Sequence, residues 1–246
     1  MLRSILLLLD DTPGAVAACG VAASLARRCS AQLCGIYFAP AGVQSQSDLL
    51  AAEAYRLMQL TMPAASVVVS RQAPEPGLRQ AMEAHDVLVV GRDSTLGAEP
   101  AEGRIAPAVV RLIYEIGRPL LIVPPHAPAE GRALLAREPD ISFQRTIHMC
   151  LLLGLFHGLK VKPYTLAGGK EGPGVGLAAL LEKYDVDCEA EEDVEGIVTD
   201  RMLAQALAEQ AGLIVSGEFG RVAPGPLPSV ASAKAFNAHC AIFVYH

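Results

Sequence analysis

The 246-residue chain is 52% hydrophobic and 19% charged, which excludes a disordered protein and allows one large buried core or two smaller ones. Its formal net charge is −6, and its 20 Lys and Arg form no dense run. This excludes a general nucleic-acid binder, because phosphate backbones are held by concentrated positive charge.

The opening MLRSILLLLDD has an apolar stretch too short for a membrane span and closes on two aspartates. It reads as a buried strand, and the protein as cytoplasmic with no membrane partner. Four further apolar, β-branched runs follow in the first half: LCGIYF, SVVVS, DVLVVG and PLLIVP. Stretches with helical periodicity separate them, such as AVAACGVAASLARRC and IAPAVVRLIYEIG. Near-continuous apolar strands alternating with helices predict a parallel sheet covered on both faces.

PPHAPAEGR at 124–132 has the Pro, Gly and Ala content of a linker. The order then repeats in weaker form. It runs through ALLA, a helix through SFQRTIHMCLLLGLF, strand VKPYTLA, helix VGLAALLEKY, strand VDCEAEE, helix TDRMLAQALAEQ, strand GLIVSG, helix SVASAKAF and strand AIFVYH. HDVLVVG (85–91) matches AGLIVSG (211–217), and GRPLLIVPP (117–125) matches HCAIFVYH (239–246). The expected fold is α/β, with two tandem doubly wound domains at 1–125 and 131–246, each a five-stranded parallel sheet with helices on both faces.

The six cysteines show no zinc spacing and read as reduced core residues, although Cys29 and Cys240 lie near element ends, where a reactive thiol is conceivable. His148 and His157, placed nine residues apart on one predicted helix, fall on opposite sides of it. No Walker motif, serine nucleophile elbow or HExxH is present.

A doubly wound sheet binds ligands at the carboxyl ends of its strands, so the turns after the first and fourth strands of each half are the places to search. Asp10 and Asp11 fit the acidic pair of a receiver domain. Ser70-Arg71 and Pro124-Pro125 stand where a receiver needs a phosphorylatable Asp and a Lys. After the fourth strands stand GRDSTLGAEPAEGRIAPAVV (91–110) and GEFGRVAPGPLPSVAS (217–232). A glycine-rich turn leading into a helix N-terminus can cradle phosphate, with Ser229 as helix cap and hydroxyl donor. The same glycines also serve as ordinary tight-turn residues.

This pattern resembles the universal stress protein family, in its tandem two-domain form, over nearly the whole chain. The resemblance rests on the strand ending in Asp10, on DVLVVGRD followed by GRPLLIVP, and on GLIVSGEFG followed by PSVASAKAFNAHCAIFV. Members that bind ATP carry an Asp after the first strand and Gly-x2-Gly-x9-Gly-Ser/Thr after the fourth. The resemblance therefore implies ATP or another adenine nucleotide as ligand, with Mg²⁺ only as its companion, and it implies that the last strands of the two halves, LLIV and AIFVY, lie close together.

Each half keeps a different part of that motif. The first keeps Asp10 and Gly91 but has Ser94 where the second glycine would stand, and Ala106-Pro107 near the Gly-Ser position. The second keeps Gly217, Gly220 and Ser229, followed by Val230, while Pro228 replaces a glycine and Arg137 takes the place of the Asp. Binding, if present, is expected at 217–229 rather than 91–107. Three functions stay open: a stress-associated protein binding nucleotide weakly or not at all and acting through conformation and protein partners, an interaction scaffold without nucleotide, and a slow ATPase. An unidentified protein partner and a homo-oligomer belong to the first two readings. Asp10, Asp93 and Asp140 are acids with no visible catalytic partner, and an acid after a strand is more often a helix cap or solvated turn.

Overall fold

A computed structural model describes residues 1–39, 56, 58–96, 106–137, 141–166, 176–194, 198–217 and 239–245. The first half carries β1 (Ser4–Leu9), α1 (Pro13–Cys29), β2 (Gln32–Phe38), β3 (Ser66–Ser70), α2 (Pro74–Met82), β4 (Val87–Gly91), α3 (Pro107–Glu115) and β5 (Leu120–Val123). The second carries β6 (Ala133–Arg137), α4 (Ile141–Leu153), β7 (Val161–Leu166), α5 (Leu177–Lys183), β8 (Glu192–Val194), α6 (Val198–Ala208), β9 (Leu213–Ser216) and β10 (Ala241–Val244).

All ten strands join one sheet in the order β3-β2-β1-β4-β5-β10-β9-β6-β7-β8. The order in the first half, 3-2-1-4-5, is mirrored by 8-7-6-9-10 in the second. Every pairing within a half is parallel. The one antiparallel junction joins β10 to β5, with Ile242 opposite Ile122 and Phe243 opposite Leu121. The last strands therefore meet as the resemblance implies, in the geometry that a local twofold relation between halves requires.

Strand residues alternate between two cores, since successive side chains point to opposite faces of a sheet. Ile5, Leu7, Val87, Val89, Leu121, Leu135, Val215 and Phe243 join α1, α4 and α5 on one face. Leu6, Leu8, Leu88, Val90, Ile122, Leu134, Ile214 and Ile242 join α2, α3 and α6 on the other. Both cores run across the β5–β10 junction without interruption. No described helix is long and apolar enough to cross a membrane.

α1 shows how the sequence sets a helix. Thr12 caps its N-terminus, accepting from Ala15 N–H at 3.3 Å. Pro13 occupies the first turn, where its missing N–H costs nothing. Ser30 closes the other end in the left-handed region at φ 53°. The small side chains of Ala15, Ala18, Ala22 and Ala23 are buried, which lets the helix lie close on the sheet.

Two elements differ from their sequence readings. The helix read through Phe156 ends at Leu153, because Gly154 turns left-handed at φ 73°. His157 consequently sits in the following loop and not on the helix of His148. β8 starts at Glu192, whereas VDCEAEE began the prediction at residue 186. Before it the chain touches β7 through a single bridge, Val161 to Cys188; its alternating acids favour solvent over a ladder. The reactive-thiol reading of Cys29 and Cys240 also fails, since both are buried. Burial raises the Cys29 pKa and pushes that of Cys240 up to about 12, away from the nucleophilic thiolate. The predicted helix SVASAKAF lies outside the described residues.

Candidate functional site

β1 and β4 are neighbours with Leu7 opposite Val89, so Asp10 and Gly91 come together at their carboxyl ends, as a doubly wound sheet requires of its ligand crevice. The described polar groups of the first-half crevice are bonded to one another. Asp10 Oδ1 accepts from Thr12 N–H at 3.0 Å and from Thr12 Oγ1 at 2.6 Å. Its Oδ2 accepts from the hydroxyl of Ser94, a residue only 1% exposed. The glycine-to-serine change in the motif and the retained aspartate are thus one unit: the Ser94 hydroxyl donates to the acceptor that Asp10 would otherwise offer to a ligand.

The N-terminus of α1 is satisfied in the same way. Gly14 N–H donates to both carboxylate oxygens of Asp93, at 3.0 and 3.2 Å. A carboxylate at a helix N-terminus takes the place where the helix dipole and free N–H groups would favour phosphate. The sequence marks Asp93 as an acid without a visible partner; its contact with Gly14 was missed because the two lie 79 positions apart. Burial, followed by the charges of Asp11 and Asp10, raises the pKa of nearby Tyr37. The electrostatic character of this crevice is acidic, against an anion.

Gly91 serves helix packing. A Cβ there would lie 2.6 Å from Ala15 N and 2.7 Å from Gly14 C, a backbone approach that only glycine permits. Gly217 does the same in the second half, where a Cβ would lie 2.5 Å from Phe143 N and 2.7 Å from its Cα. Gly91 and Gly217, two of the three glycines read as phosphate-loop residues, are the seats on which α1 and α4 rest.

β6 and β9 pair Ala136 with Ser216, so Arg137 and Gly217 also come side by side. The Arg137 guanidinium is turned to Glu191, its Nη1 lying 2.9 Å from both carboxylate oxygens. Its charge is compensated and is not directed at a free anion. Gly220, Ser229, Val230 and Asp140 lie outside the described residues, as does most of each loop after the fourth strand.

No nucleophile–base constellation forms from the described contacts. The hydroxyl of Ser94 is buried against Asp10, and the ring hydrogen bonds of His85 and His148 go to helix carbonyls at 2.7 Å. The locked Asp10 changes what its removal should do. Asp10→Ala strands the buried Ser94 hydroxyl, so denaturant unfolding should register a loss of about 1–3 kcal/mol. Adding Ser94→Ala should restore part of it; a double variant less stable than Asp10→Ala would contradict this account.

No family sequence model matches the chain, and no curated protein sequence matches it. Solved structures do. A universal stress protein from Archaeoglobus fulgidus DSM 4304 superposes with TM-score 0.65 at 11% identity, covering 98% of this chain and 97% of that one. A Pseudomonas aeruginosa PAO1 protein described as functionally unknown superposes at 0.64, with 13% identity over 99% and 92%. The cytoplasmic domain of a prokaryotic cation chloride cotransporter reaches 0.55, with 11% identity over 99% and 95%. Across its length, the chain has the fold of a universal stress protein.

Proposed function

We propose that this is a stress-associated cytoplasmic protein of the universal stress type, built of units 1–125 and 131–246, that acts through its conformation and protein partners. Its nucleotide chemistry is reduced to a weak adenine-nucleotide site in the second half. The observation that carries this reading is the Asp93–Gly14 contact. It places a carboxylate on the Gly14 N–H at the first helix N-terminus of the crevice, where an anion would otherwise be favoured, and this weighs against ATP in the first half. Gly217, Gly220 and Ser229 keep more of the loop pattern in the second half. There Pro228 removes one donor and Arg137 is bound to Glu191, so affinity is low. Any Mg²⁺ arrives with the nucleotide.

The nucleotide-free scaffold is the second reading, favoured by the self-satisfied first crevice and the neutralised Arg137. Both readings include a protein partner, and self-association is compatible with each. Calorimetric titration with ATP separates them. The weak-site reading expects binding lost in Gly220→Val and kept in Arg104→Ala. No heat in the wild type favours the scaffold, while loss only in Arg104→Ala places the site in the wrong half. Steady release of ADP would turn the reading to the slow ATPase.

A further inference from the structure

At the opposite end of the sheet from these crevices, the two halves border an open pocket, the inter-half cavity, of about 430 Å³. Its walls are Arg28 from the last turn of α1, the segment Glu130–Arg132 before β6, and the segment Gly158–Lys160 before β7. Both halves therefore contribute, and the lining has three cationic side chains against one carboxylate, that of Glu130.

The cations differ in how fully they are paired. Arg132 is held by Glu189 at 3.2 Å and Glu209 at 2.7 Å. Arg28 Nη1 donates to the carbonyls of Leu155 at 3.1 Å and His157 at 2.8 Å, bridging the halves. Its Nε is buried without a hydrogen-bond partner, although buried polar groups in proteins are nearly always paired. Burial lowers the Arg28 pKa, while Cys29 and Glu130 act in the opposite sense. Lys160 is exposed, and no ion pair involves it among the described residues. The backbone is equally rich in donors. Among the described residues, the loop N–H groups of Gly131 and Gly158 find no backbone acceptor. A cavity with surplus cations and free N–H groups matches an oxyanion, which brings acceptors only.

We propose that this inter-half cavity binds a phosphate-type dianion, gripped by Arg28 and Lys160 and by the loop N–H groups beside Gly131 and Gly158. The ligand is free phosphate or the phosphoryl group of a small metabolite; the cavity has room for the latter. It fastens α1 of the first half to the loops before β6 and β7, and so stabilises the pairing of halves.

The test is thermal unfolding of the full chain in rising inorganic phosphate, with ionic strength held constant by sodium chloride. A ligand that binds only the folded state raises the melting temperature. The expected result is a phosphate-specific rise whose half-saturating concentration increases roughly tenfold or more in Lys160→Ala, since one charge-assisted hydrogen bond is lost. Glu130→Gln should move it the other way. Both side chains are exposed, so the variants should fold. Glycerol 3-phosphate in a second series identifies the source: a stronger response than phosphate marks a phosphorylated metabolite, an equal or weaker one free phosphate. No rise beyond the chloride control, or the same rise in wild type and Lys160→Ala, overturns the proposal. The readout uses no ATP, so loss of the nucleotide reading would leave it standing.

Discussion

Phe243→Ala should cost about 3–5 kcal/mol and lower the stability of both halves together. Phe243 is fully buried and lies opposite Leu121 across the antiparallel junction. It belongs to a core that also contains Ile5, Val87 and α1 in the first half, and Leu135, Ile147 and Val215 in the second. A cavity at this point removes contacts from both sides of the seam, and close-packed neighbours relax only partly to fill it. Denaturant unfolding followed by circular dichroism should give one transition, moved to lower midpoint. Amide exchange should accelerate in β1 and β4 as well as in β6 and β9. Two resolved transitions, with only the second-half one displaced, would mean that the halves fold as independent units.

Gly217→Ala and Gly91→Ala form the second prediction. Each is expected to destabilise by about 1–3 kcal/mol, the usual cost of inserting a methyl group into a packed site. The added carbon would meet backbone atoms of Phe143 or of Gly14 and Ala15. Backbone cannot swing away as a flexible side chain does, so helix α4 or α1 must lift from the sheet. The measurement is the unfolding midpoint without any ligand. If the glycines served only to admit phosphate, that midpoint would stay within about 0.5 kcal/mol of wild type, the normal range for surface changes. The two variants should also behave alike, because the two contacts are equivalent in the mirrored halves.

Much of the fold could be read from the chain because its determinants are local. SILLLL, DVLVVG, PLLIVP and GLIVSG are apolar on successive positions, and only a strand buried on both faces needs that pattern. The helix start after the first strand also rests on adjacent residues, with Thr12 capping it and Pro13 in its first turn. The candidate site was legible only in its location. Asp10 with Gly91, and Arg137 with Gly217, do meet at strand ends, but what their side chains and backbones do depends on distant partners. Asp93 reaches Gly14, Ser94 reaches Asp10, and Glu191 reaches Arg137 across the sheet. Sequence spacing carries no record of such contacts. The helix end at Gly154 was missed for a different reason: LLLGLF continues the apolar pattern, and periodicity does not register a left-handed glycine within it.

The β5–β10 junction has a consequence for assembly. By joining its two inner edges, the chain leaves β3 and β8 as the ends of the sheet among the described residues. These ends are unequal. β8 is three residues long and carries Glu192 and Asp193, a short charged rim of the kind that repels strand addition. β3 is SVVVS, uncharged, with Val68 51% and Val69 47% exposed. Strand-to-strand growth therefore has one receptive end and one guarded end. If strands were to add at β3, a molecule with that single end would close on a twin and stop, because a filament needs a second end to propagate.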